Sequence, residues 1–143
     1  MGEKKELSID ELIGRINGRY KHLDGFPCVL SGITMPLYYI DCCKTIYGLQ
    51  DKLISKLLEE LALNFFVSDH CSPEGEGKKA KYTRQLKEIR DEHIRNCRYT
   101  LPQIVIPDYQ NVMGWQRRLI DKLLEEKKEY DRFERMYLSF FVK

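Results

Sequence analysis

Gly48-Leu-Gln-Asp-Lys-Leu-Ile-Ser-Lys-Leu-Leu-Glu-Glu60 and, 66 positions later, Gly114-Trp-Gln-Arg-Arg-Leu-Ile-Asp-Lys-Leu-Leu-Glu-Glu126 decide the fold of this chain. Extended upstream without a gap, residues 34–60 and 100–126 share 12 identities in 27 positions, where composition alone gives about two. Thr34-Met-Pro36 sits beside Thr100-Leu-Pro102. Both copies end alike, in Leu63-Asn-Phe-Phe-Val67 and Leu138-Ser-Phe-Phe-Val142, the second arriving nine residues late. Leu-Leu-Glu-Glu is common helix vocabulary, but Thr-x-Pro and Gly-x-Gln are not. The match reads as a duplicated module with an insertion in its second copy.

Each module reads as a pair of helices. Ser8-Ile-Asp-Glu11 is a capping box, with Leu7 and Leu12 placed as a hydrophobic staple, so a helix starts near Ile9. Ile9, Leu12, Ile13, Ile16, Tyr20 and Leu23 recur at helical spacing until Gly25-Phe-Pro27 stops them. From Pro36, a second helix carries Tyr39, Cys43, Tyr47, Ile54, Leu57, Leu61 and Phe65 on one face, flanked by Ile46, Leu53 and Leu58. That wide face predicts the most buried helix, bent at Gly48. Asp69-His-Cys-Ser-Pro-Glu-Gly-Glu-Gly77 reads as a turn-rich connector.

A third helix is expected from about Lys79 to Cys97, burying Tyr82, Leu86, Ile89, His93 and Cys97. Ile104-Val-Ile106, between prolines, reads as an extended link, and a fourth helix follows from Asp108 or Met113 to the C-terminus. Gly114 to Phe141 would span about 42 Å as helix, long for so small a domain. The expectation is therefore all-α: an antiparallel four-helix bundle built from two tandem-duplicated hairpins with a pseudo-two-fold axis and a long C-terminal helix. Residues 1–143 form one domain, with module one at 6–67, connector at 68–77 and module two at 78–143.

The composition narrows function by exclusion. The chain has 143 residues, 43% hydrophobic and 32% charged, enough for one buried core and unlike a disordered chain. Net charge is only +2, too weak a whole-chain field to imply nucleic acid or an anionic membrane. Five cysteines, with Cys42 and Cys43 adjacent, are not a secreted disulfide framework. With no apolar leader and no stretch near the roughly 20 apolar residues of a membrane span, the expected location is intracellular and cytoplasmic.

Motifs for catalysis are missing: no P-loop, dinucleotide fingerprint, H-E-x-x-H or G-x-S-x-G. The expectation is a non-enzyme with no cofactor and no evident small-molecule substrate. His93 and Cys97, at i, i+4 on one helix, with His70-Cys71 just upstream and Cys42 or Cys43 in reach, have zinc-compatible chemistry. Without a Cys-x-x-Cys pair, the plainer reading is a core histidine beside buried thiols, and no metal is assigned. A structural zinc domain stays as one alternative.

Residues 78–98 carry a local net charge of +5. Lys78, Lys79, Lys81, Arg84, Arg95 and Arg98 would track a nucleic-acid backbone if the chain were a small subunit of a nucleoprotein complex, the first alternative, ahead of a structural zinc domain. The favoured reading is an interaction or regulatory protein. The insertion lengthens the last helix beyond its twin, and Tyr130, Phe133, Tyr137, Phe140 and Phe141 form an aromatic stripe suited to a protein partner or to self-association. The competing arrangement folds that stripe onto Ile9, Ile13, Ile16 and Tyr20 within one chain.

Overall fold

The computed structural model describes residues 7–24, 34–71, 77–97 and 102–141, with side chains placed for 7–23, 39–66, 77–95, 97 and 108–132. Five helices pack against one another: α1 (Ile9–Asp24), α2 (Thr34–Glu60), α3 (Ala62–Cys71), α4 (Lys78–Asn96) and α5 (Pro102–Phe141). Among the described residues there is no strand, and no helix is long and apolar enough to cross a membrane.

The start of α1 follows from its cap. The Glu11 N–H donates to Ser8 Oγ at 3.2 Å and the Leu12 N–H to the Ser8 carbonyl at 2.9 Å. The Ser8 hydroxyl donates to Glu11 Oε1 at 3.2 Å, so the carboxylate closes the box through the hydroxyl rather than the backbone. Leu7 and Leu12 both pack on the main core, as a staple requires.

Three elements differ from the sequence reading. The helix expected to run from Pro36 through Phe65 is divided at Leu61, giving five helices instead of four. Backbone hydrogen bonds carry across the division, from the Leu61 N–H to Leu57 and from the Phe65 N–H to Leu61, both 2.9 Å. Leu61 and Phe65 are fully buried, with the Phe65 ring 5.4 Å from Tyr82 of α4, so α3 stays on the core. Asp69-His-Cys71 closes α3 instead of starting a turn, because the first helix-breaking proline comes only at Pro73. Ile104-Val-Ile106 is helical, because Pro102 takes the first helical position, where its missing N–H costs nothing.

Helices α2 and α5 lie against each other through the centre. At one end Ile40, Cys42, Cys43 and Ile46 meet Tyr109 and Met113. Further along, Leu53, Ile54 and Leu57 meet Val112, Leu119, Ile120 and Leu123, with Leu12 and Ile16 of α1 and Tyr82, Leu86 and Ile89 of α4 completing the core. Contacts between α2 and α5 advance in the same direction on both helices, from Tyr39 with Gln110 to Gln50 with Gln116. The α1–α2 contacts run oppositely, Leu12 and Ile16 clustering with Leu53, Ile54 and Leu57 while Arg19 meets Cys42 and Leu23 packs against the cluster of Ile40 and Cys43, and so do the α4–α5 contacts, Tyr82 meeting Glu126 and His93 meeting Tyr109.

Positions 66 apart are buried alike: Cys43 and Tyr109, Ile46 and Val112, Gln50 and Gln116, Leu53 and Leu119, Ile54 and Ile120, Leu57 and Leu123. Gly48 and Gly114, also 66 apart, neither break their helices nor admit a close neighbour. A Cβ added at either would meet nothing within 4 Å. Gly48→Ala and Gly114→Ala should each raise stability by about 0.5–1 kcal/mol through the lower chain entropy of the unfolded state. Urea unfolding measures this, and a loss of stability in either variant would contradict the open space at that helix face.

Candidate functional site

Two groups of polar side chains converge where α1 and α4 flank the α2–α5 seam. The first is a buried amide pair. Gln50 and Gln116 are fully enclosed, and Gln50 Nε2 donates to Gln116 Oε1 at 2.8 Å. Gln50 Nε2 also donates to the Met113 carbonyl at 3.2 Å, and Gln116 Nε2 to the Tyr47 carbonyl at 3.1 Å. Tyr47 and Met113 are themselves 66 apart, so the two amide-to-carbonyl bonds are reciprocal. The Tyr20 hydroxyl of α1 completes the set by donating to Gln50 Oε1 at 3.0 Å, and the Arg117 guanidinium lies 4.8 Å from the Tyr20 ring centre. Burial raises the Tyr20 pKa, so this hydroxyl remains a donor at neutral pH.

The second group is aromatic. The His93 ring stacks on Tyr47 at 3.8 Å between centroids and lies 5.3 Å from Tyr109. Burial pushes Tyr47 up to about 12, with Asp51 adding to it, and burial followed by Cys97 raises Tyr109. Arg90 of α4 grips Asp51 of α2 through two bonds, Nε to Oδ1 at 2.8 Å and Nη2 to Oδ2 at 3.0 Å, and also donates to Ser55 Oγ at 3.0 Å. That clamp fixes α4 across α2 beside the stack.

His93 Nε2 lies 3.6 Å from Cys97 Sγ. The thiol is exposed, not buried as its place in the apolar register suggested, because Cys97 lies just past the last turn of α4, its N–H closing back onto the His93 and Arg95 carbonyls. With the thiol donating, Nε2 is the acceptor and the imidazole is neutral. The other thiols lie elsewhere. Cys42 donates to the Arg19 carbonyl at 3.7 Å, and burial, then the neighbouring Cys42, pushes Cys43 up to about 12. Among the described residues no three His, Cys, Asp or Glu side chains gather as a metal set, and the side chains of His70 and Cys71 lie outside them.

Three of the six residues of the expected basic surface pair with carboxylates. Lys78 pairs with Glu126 at 3.1 Å, Arg84 with Glu88 at 3.2 Å, and Arg95 with Glu92. Lys79 and Lys81 are exposed on α4, and Arg98 is outside the described residues. Of the aromatic stripe, Tyr130 is half-buried and packs against the main core. The side chains of Phe133, Tyr137, Phe140 and Phe141 lie outside the described residues, although the α5 backbone runs through all four.

No known protein family, curated protein or solved structure matches the chain. Two features of the site escaped the sequence reading. Gly-x-Gln was visible at the 66-residue offset, but nothing in it said that both amides would turn inward. Trp115, 66 positions after Leu49, is exposed at the edge of a groove between α4 and α5.

Burial holds the His93 pKa below its ordinary 6.5, with Asp51 only partly countering it. The unfolded chain therefore binds this proton more readily than the folded one. Stability should be full above about pH 6.5 and fall as pH drops through that value toward the folded pKa. His93→Gln should flatten this part of the profile in denaturant melts. An unchanged acid dependence would contradict the buried, neutral imidazole.

Proposed function

We propose that the chain is a non-enzymatic interaction protein, built as a duplicated helical hairpin in an antiparallel bundle, that docks a protein partner through the last turns of α5. The reciprocal bonds of Gln50 and Gln116 and the shared burial pattern support the duplication. The opposed direction of α1 to α2 and of α4 to α5 supports the antiparallel arrangement.

The observation that carries the docking reading is a difference between the copies. In the first, Leu61 and Phe65 are buried, so the chain stays on the core where α2 gives way to α3. Sixty-six residues on stand Lys127 and Asp131, which pair with each other at 3.1 Å along the helix. An ion pair in place of two core anchors gives α5 no apolar anchor at these two positions. The helix continues to Phe141, a total of 40 residues or about 60 Å. Past Lys127 it carries Tyr130, Phe133, Tyr137, Phe140 and Phe141 at spacings suited to laying one helix in a partner's groove, a second copy of the chain included.

The nucleic-acid alternative draws less support, because Lys78, Arg84 and Arg95 are held by carboxylates rather than free to follow a phosphate backbone's geometry. Sedimentation of the full chain over a concentration series tests self-association. Binding measured with a purified partner, identified by crosslinking in the native source, tests a heterologous complex. Phe133→Asp or Tyr137→Asp should abolish whichever association is found. Charge reversal at Lys79, Lys81 and Arg84, or a rise from about 0.1 M to 1 M salt, should leave it nearly unchanged. Binding that survives the aromatic changes but collapses with salt would overturn the reading in favour of backbone contact.

A further inference from the structure

We infer that the groove between α4 and α5 is a second docking site, separate from the aromatic end of α5, that takes an acidic amphipathic helix from a partner. The groove encloses about 620 Å³, and Ile89 of α4 and Leu119 of α5 line its apolar part. Trp115 sits on its edge, 39% exposed, although an indole of this size is ordinarily a core or interface anchor. Its counterpart Leu49 in the first copy is packed against the core, so the exposed ring is peculiar to this side of the molecule.

The charges on the two walls differ in kind. On the α4 wall, Glu88 and Glu92 are each engaged by an arginine of their own helix, Arg84 and Arg95. On the α5 wall, Arg118 and Lys122 stand one turn apart, and neither forms an ion pair with any described residue. With Trp115 they occupy positions i, i+3 and i+7, a single stripe of about 10 Å along the helix. The uncompensated charge of the groove is therefore positive and lies beside an apolar floor and an aromatic ring.

A third helix laid between two antiparallel ones presents side chains with the same 3-4 spacing. Two turns of it, with apolar residues toward Trp115 and Leu119 and carboxylates one turn apart toward Arg118 and Lys122, match this stripe in length, polarity and period. A basic helix would meet two unpaired cations, and a wholly polar acidic segment would leave the indole uncovered.

Trp115 is the chain's single tryptophan, so its fluorescence reports on this groove alone. The full chain is titrated with a tryptophan-free helical peptide carrying leucine on one face and glutamate on the other. Two controls are its lysine-for-glutamate version and a scramble of the same composition that lacks the apolar face. A saturable blue shift with the acidic amphipathic peptide alone is expected, with affinity falling tenfold or more in Arg118→Glu/Lys122→Glu. Unaltered circular dichroism shows that this variant is folded, and Arg118→Gln/Lys122→Gln replaces it if it is not. No shift, an equal response to the basic peptide or to the scramble, or undiminished binding by the folded variant would each overturn the proposal. Phe133→Asp should leave this titration unchanged, which separates the groove from the docking end of α5.

Discussion

The hydrogen-bonded pair of Gln50 and Gln116 is the constraint on which the arrangement of the other helices depends. Both side chains are fully buried, and a buried amide left without partners costs about 1–3 kcal/mol for each unpaired group. Sliding α2 along α5 by one residue would separate the amides from each other and from the Tyr47 and Met113 carbonyls. The leucines and isoleucines on either side supply most of the burial energy, but they tolerate other registers far better than two enclosed amides do. The pair thus selects one alignment out of several that the apolar face alone would accept.

The outer helices take their places from that seam. Tyr20 ties α1 to it through Gln50, and the Arg90 clamp on Asp51 ties α4 to the same stretch of α2. The aligned positions 51 and 117 hold opposite charges, and each flanking helix answers the one it meets: α4 offers an arginine to Asp51, and α1 offers the Tyr20 ring to Arg117. Positions 66 apart thus differ in charge at the edge of the seam while the core beside them is alike. The His93 ring, stacked on Tyr47 and beside Tyr109, fills the α4 side of the seam.

What the sequence made readable, and what it hid, follows from the range of each signal. The capping box at Ser8, the helical periods of α1, α2 and α4, and the core residues Leu53, Leu57, Leu86 and Leu123 are local patterns, and the structure bears them out. The division at Leu61 and the helical start at Pro102 are not local patterns. The first depends on where Phe65 finds Tyr82, and the second reverses the usual reading of proline as a stop. Extending the period of α4 one step past the end of the helix puts Cys97 on a buried face, whereas the cap position exposes it. The inward orientation of Gln50 and the outward orientation of Trp115 are set by which helix lies opposite, a fact that no local window contains.

A double-mutant cycle on Gln50→Leu and Gln116→Leu, read by urea unfolding of the full chain, tests the central claim most directly. Each single change should cost roughly 1–3 kcal/mol, because it breaks the 2.8 Å bond between the amides and leaves one buried polar group of the remaining amide without its partner. The double variant should be less destabilised than the sum of the singles by at least about 0.5 kcal/mol, since it removes both buried amides together. Strict additivity, or single variants as stable as the parent, would show that the amide pair does not hold α2 and α5 in register.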